Sequence, residues 1–239
     1  MSDEIVETAK ATQAVAKATV KGLEVSEKVG GFLSKVLGEP IEIATGILGD
    51  KLKFMRWERQ VRLIDKVQQI NHNRGVAGKE IPVSPKLAIP ILENASVEEN
   101  DILQDLWAKL MSSAQGEHSS PTVRSAFIDI IKQLEVIDVQ ILNSLFDGFV
   151  QAVGASKIHE GTPRRIVFAK ANIINALKIT EQVYEDSVDN LMRVRCLCSE
   201  VKVMSGMSIG GESATVDKGY ESLCLTSLGV RFIIACVKE

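Results

Sequence analysis

The last third of the sequence carries an order of elements that few folds share. Apolar residues recur at helical spacing over 168–177, and Lys178-Ile179-Thr180 then makes a turn into a second helical pattern over 181–195. From Val194 to Val203 the pattern becomes that of a strand. Ser205–Gly219 follows, loosened by Gly206, Gly210 and Gly211, before a second strand run at Tyr220–Leu225 and a final apolar helix at Thr226–Val237. In the second helix Val183, Ser187, Val188, Leu191 and Val194 share one face, and the small Ser187 lets a neighbouring helix come close.

Helix, tight turn, helix, strand, glycine-rich stretch, strand is the order of a winged helix, whose second helix commonly enters the DNA major groove. Charge argues against that use here. Residues 180–195 carry Glu181, Glu185, Asp186 and Asp189 against Arg193 and Arg195, a net −2. The outward face begins Glu181, Gln182, Glu185, Asp186, Asp189, and carboxylates aimed at phosphates repel them. The glycine-rich stretch offers Lys218 against Glu212 and Asp217. The chain as a whole is at −3 with a pI near 5.8, where dedicated nucleic-acid binders are basic. Glu181, Gln182, Glu185, Arg193 and Arg195 are therefore candidates for contact with a protein partner. A DNA-binding transcription regulator is the alternative.

The rest of the chain reads as helix. Aromatic residues make up 5% of the 239, so the core must be aliphatic, which suits helix-on-helix packing. Over 2–37 Ile5, Ala9, Thr12, Ala16, Val20 and Leu23 form a thin stripe diluted by Lys10, Lys17, Lys21 and Lys28, a helix that needs a partner surface. Gly38-Glu39-Pro40 breaks it. A second pattern runs from Ile41 to about Ile70 and should stop near Asn73-Arg74-Gly75. Within it Lys51, Lys53, Arg56, Arg59, Arg62 and Lys66 outnumber Glu58 and Asp65. This basic face is either solvated or meets an anionic surface such as membrane headgroups or nucleic acid.

Beyond the stiff connector Ile81-Pro82-Val83-Ser84-Pro85, a short helix at Lys86–Glu93 ends before Asn94. Ser96 and Glu99 have the spacing of a capping box for the next helix, with Ile102, Leu103, Leu106, Trp107, Leu110 and Met111 on its buried face. The polar stretch Ser112–Pro121 is the best domain boundary. Helices over about Val123–Leu134 and from Asp138 to about Val153 complete the pass. The reading is mostly α: an N-terminal amphipathic helix (1–37), a helical domain (38–115) and a winged-helix-like α+β module (122–239).

Site chemistry is sparse. His72, His118 and His159 lie at no metal-ligand spacing, and Asp101 with Asp105 is a pair of the kind that helices usually leave solvated. Cys196, Cys198, Cys224 and Cys236 cluster near the end, where reduced, buried thiols are the simpler reading than a disulfide framework or a metal knuckle. No phosphate-binding or dinucleotide-binding glycine motif and no nucleophile elbow occurs. We expect no cofactor, no metal and no enzyme activity. The acidic, polar start has no leader pattern and no apolar run spans a bilayer, so the expected location is cytoplasmic, with peripheral contact at the inner membrane open to the basic helix.

Three stretches carry a resemblance. GDKLKFMRWERQVRLIDKVQQI, IPVSPKLAIPILENASVEENDILQDLWAKLM and SAFIDIIKQLEVIDVQIL together resemble the abortive-infection alpha family, over about residues 38–145. The most diagnostic succession is Pro82, Pro85, Pro90, Leu92, Glu93, Ala95, Glu99, Leu106, Trp107 and Leu110. The resemblance implies a bacterial phage-defence protein with no established catalytic residues. The thin N-terminal helix, the basic helix and the acidic face of the second helix point to action through a homo-oligomer, a protein partner or a membrane surface.

Overall fold

The computed structural model describes residues 27–40, 57–116, 123–154, 166–199 and 222–237. They form helices with one small sheet, in two compact units that divide between His118 and Ser119. The expectations for residues 1–26, for 41–56 and for the glycine-rich stretch 205–219 lie outside the described residues.

In unit 1, helix α1 (27–37) buries Val29, Phe32, Leu33, Val36 and Leu37. It ends at Gly38, which adopts φ +69°, and a side chain there would also strike Pro82. Helix α2 (Trp57–Asn73) turns Leu63, Ile64, Val67 and Ile70 inward at spacings of three and four. It stops where expected, at Gly75 with φ +67°. Helix α3 (Pro85–Val97) starts on a proline suited to a first turn, and helix α4 (Asp101–Gln115) lies along α2 and buries Leu103, Leu106, Trp107, Leu110 and Met111.

Several local expectations for unit 1 are corrected. α3 continues through Asn94 to Val97 with Pro90 inside it, because Ala95 and Ser96 belong to its buried face. The cap of α4 is Asn100, whose side chain accepts from Ile102 N and Leu103 N. Ser96 instead donates to the Glu93 carbonyl, and Glu99 turns away to Arg59. Ile102 is 41% exposed rather than buried. Ser112, Ser113 and Gln115 are buried within α4, so the connector begins only after that helix.

In unit 2, α5 (Ser125–Ile131) and α6 (Val136–Val153) are each shifted a few residues from their expected bounds. Strand β1 (Phe168–Ala169) precedes α7 (Lys170–Leu177) and α8 (Glu181–Arg193). Strands β2 (Leu197–Ser199) and β3 (Ser222–Leu225) lead to α9 (Ser227–Cys236). The sheet is antiparallel in the order β1-β3-β2, with Phe168 opposite Leu223 and Cys198 opposite Cys224. β1 was not anticipated, since two residues are too few to show alternation.

Phe127, Leu142, Leu145, Tyr184, Leu191 and Phe232 fill this core, with Phe127 edge-on to Phe232 at 5.8 Å. Gly229 lies against the Cys196 carbonyl, where a side chain would have no room. The inward face of α8 is Tyr184, Ser187, Val188 and Leu191. Val183 is 39% exposed, which corrects its placement in the core: the helix is rotated so that Tyr184 packs beneath Lys170.

Candidate functional site

Two surfaces were singled out from sequence, the basic face of α2 and the outward face of α8. Of the six cations named for an anionic surface, Lys51, Lys53 and Arg56 lie outside the described residues. The other three face α4. Arg59 pairs with Glu99 and donates to the Val97 carbonyl at 2.7 Å. Arg62 reaches Asp101 at 2.8 Å, and Lys66 sits between Asp105 and Asp101, the latter at 3.6 Å. The hydrogen bond from Arg62, helped by the charges of Lys66 and Arg62, holds the Asp101 carboxyl below its ordinary range.

This face is therefore a band of three cations and three carboxylates. It presents no net charge with which to hold an anionic surface. Asp101 and Asp105, expected to be solvated, are two of its three carboxylates. The pairing was invisible in sequence because its partners are about 39 residues apart.

Beneath the band the α2–α4 seam is polar. Asn71 Nδ2 donates to Gln115 at 3.1 Å, Gln104 Nε2 to the Arg59 carbonyl at 3.3 Å, and Arg74 to Ser113 at 2.9 Å. Both amide atoms of Gln60, Asn71 Oδ1, Gln104 Oε1 and Trp107 Nε1 are buried without a partner. Gln60 lines a cavity of about 20 Å³ with Val29, Phe32, Leu33, Leu63, Ile64 and Leu92, which is room for about one water.

On α8 the outward residues are exposed as expected, but several are tied down locally. Lys170, itself buried, donates to Glu181 and to Glu185 at 3.0 Å, and its ammonium lies 5.7 Å from the Tyr184 ring centroid. The Glu181 hydrogen bond outweighs the cost of burial and raises the lysine above its ordinary value of 10.5. Gln182 donates to Asp186 at 2.9 Å.

Arg193, one of the two cations named for DNA, donates to Gln133 and to Asn190 at 2.5 Å. Asn190 also bonds the Gln133 carbonyl and Asp138, both at 2.7 Å. Arg195 is exposed, in the left-handed region at φ +62°. The exposed face runs along Gln182, Val183, Asp186 and Asp189, anionic with one exposed apolar residue.

The cysteines depart from the expectation of four reduced thiols. Cys198 and Cys224 are joined across β2–β3, because the register sets them face to face, whereas Cys196 and Cys236 are buried thiols outside any disulfide. Of the histidines, His72 is exposed and His118 and His159 lie outside the described residues. Among the described residues no three His, Cys, Asp or Glu side chains gather as a metal site, and no helix is long and apolar enough to cross a membrane.

The sequence pattern of the abortive infection alpha family matches residues 58–236. The chain belongs to that family. The match begins inside α2, later than the expected 38, and ends at the last residue of α9, well beyond the expected 145, so the family spans both units and takes in the winged-helix-like part that follows. Its α2–α4 seam and its α8 face are thus both parts of the abortive infection alpha chain. No curated protein and no solved structure matches it significantly.

Proposed function

We propose that this chain is a non-enzymatic phage-defence protein of the abortive-infection type that acts by binding a protein, either a second copy or a partner, through the outward face of α8. Family membership supports the defence context. The observation that carries the mode of action is the face itself: Gln182, Asp186 and Asp189 point outward, while Arg193 is occupied by Gln133 and Asn190. Such a face repels phosphate and suits a basic or polar protein surface.

The same reasoning lowers the membrane option for Arg59, Arg62 and Lys66, whose charges are spent on α4; it leaves that option to Lys51, Lys53 and Arg56. A cytoplasmic protein without a cofactor fits this reading.

The second reading, a winged-helix transcription regulator, draws on the order α6, β1, α7, α8, β2, β3 and the strand order β1-β3-β2. Titrating the purified chain with duplex DNA at low ionic strength separates the two. The proposal expects no salt-dependent binding, together with self-association or capture of a protein from infected cells. Duplex binding that weakens on Arg193→Ala or Arg195→Ala would favour the regulator.

A further inference from the structure

The fold sorts the four cysteines into two kinds. Cys198 and Cys224 occupy facing register positions with Cα atoms 5.3 Å apart, inside the span of about 4.4–6.8 Å that a disulfide bridges, and they are joined. Cys198 is half-buried and Cys224 is 1% exposed, so Cys198 is the more accessible residue of the pair. Cys196 and Cys236 are fully buried and not disulfide-bonded. Burial, reinforced by the Asp138 charge, pushes the Cys196 thiol up to about 12, so it offers little thiolate near neutral pH. Cys236 Sγ donates to the Phe232 carbonyl at 3.0 Å within its own helix.

We propose that Cys198–Cys224 is a reversible thiol–disulfide site, opened at Cys198 by a low-molecular-weight thiol and closed by the corresponding small-molecule disulfide. In the opening direction an external thiolate attacks Cys198 Sγ. The bond to Cys224 breaks, and Cys224 leaves as a thiolate that takes up a proton. A second external thiol attacks the outer sulfur of the mixed disulfide and releases Cys198 as a thiol. Two electrons and two protons pass to the protein, and one small-molecule disulfide departs.

The bond joins strands 26 residues apart, and α8 runs into β2 through Val194–Cys196, so closure stiffens the element that carries the α8 face. The inference stands apart from the functional proposal and can fail without it.

The experiment uses the full chain equilibrated with either oxidised glutathione or excess reduced glutathione, then denatured and alkylated. Oxidised protein should take up two alkyl groups, at Cys196 and Cys236, and yield a linked peptide pair containing Cys198 and Cys224. Reduced protein should take up four. The oxidised form should melt on the order of 10 °C higher, as closing a loop of this length implies. Cys198→Ser should abolish that shift and melt like the reduced wild type; Cys198→Ala with Cys224→Val serves as the second variant should the serine disturb the hairpin. Four alkyl groups after oxidation, a linked pair that includes Cys196 or Cys236, or equal melting of both forms would overturn the assignment.

Discussion

Unit 1 and unit 2 are both helical, yet they handle buried polar groups in opposite ways. In unit 1 four side chains of α2 and α4, Gln60, Asn71, Gln104 and Trp107, have buried atoms without a partner, and a band of ion pairs joins the two helices. In unit 2 the described residues leave no such atom. Asp138, 1% exposed, completes a reciprocal cap with Glu135 and accepts from Asn190, while Lys170 holds both Glu181 and Glu185. An unpaired buried polar group costs about 1–3 kcal/mol, and a paired one contributes about 1 kcal/mol net. Unit 2 is thus specified by its polar contacts, while unit 1 is held by aliphatic packing in spite of some of its own. A satisfied framework is what the α8 face requires if it binds a protein as proposed.

The sharpest way to break this comparison is to remove one buried polar group from each unit. Asp138→Ala should lower the stability of unit 2 by about 2–3 kcal/mol, since it takes away the reciprocal cap with Glu135 and one of the two bonds made by the Asn190 amide nitrogen. Calorimetry of the full chain checks this, and a loss under about 0.5 kcal/mol would contradict it. Gln60→Leu should do the reverse in unit 1, raising stability by about 1–2 kcal/mol, because two unpartnered atoms are replaced by methyl groups beside a cavity. A fall in stability would show that Gln60 is satisfied in solution.

Smaller effects separate the units by pH. The Asp101 carboxyl is held below its ordinary 3.8, so its contribution to unit 1 is in place above that pH and fades as pH falls through and below it. The Cys196 thiol is raised from 9.0 and the Lys170 ammonium is raised from 10.5. Their contributions to unit 2 are complete below those values and are lost as pH rises beyond them. Thermal melts across pH should show unit 1 weakening first in acid and unit 2 first in alkali. The reverse order would remove both assignments. Smallest of all, Arg62→Ala should change stability by less than about 1 kcal/mol, because its partner Asp101 is exposed and such pairs are screened.

How much of this was legible in the sequence follows from the range of each interaction. Helix stops at Gly38 and Gly75 were readable because glycine reports a local backbone need. The order α7, turn, α8, strand, strand was readable from periodicity. Ser96 and Glu99 misled because a capping signature is local, and burial of Ser96 on α3 and the pull of Arg59 on Glu99 overrode it. Val183 and Tyr184 are one residue apart, about 100° around a helix, and the packing of Lys170 over the ring decided which turned inward. The α2–α4 ion pairs and the Cys198–Cys224 bond join distant positions, so no window along the chain could hold both partners. The outward face of α8 was legible residue by residue. What the structure added is that Arg193 is taken by Gln133 and Asn190.

If the proposed function holds, the α8 face with its carboxylates is what this abortive infection alpha chain uses against phage. The most direct test is phage challenge of bacteria expressing the wild type or a Gln182→Lys, Asp186→Lys, Asp189→Lys variant, with equal expression and an unchanged melt required of both. The account predicts that the wild type limits phage spread and that the variant loses most of that protection. Full protection by the variant would contradict it.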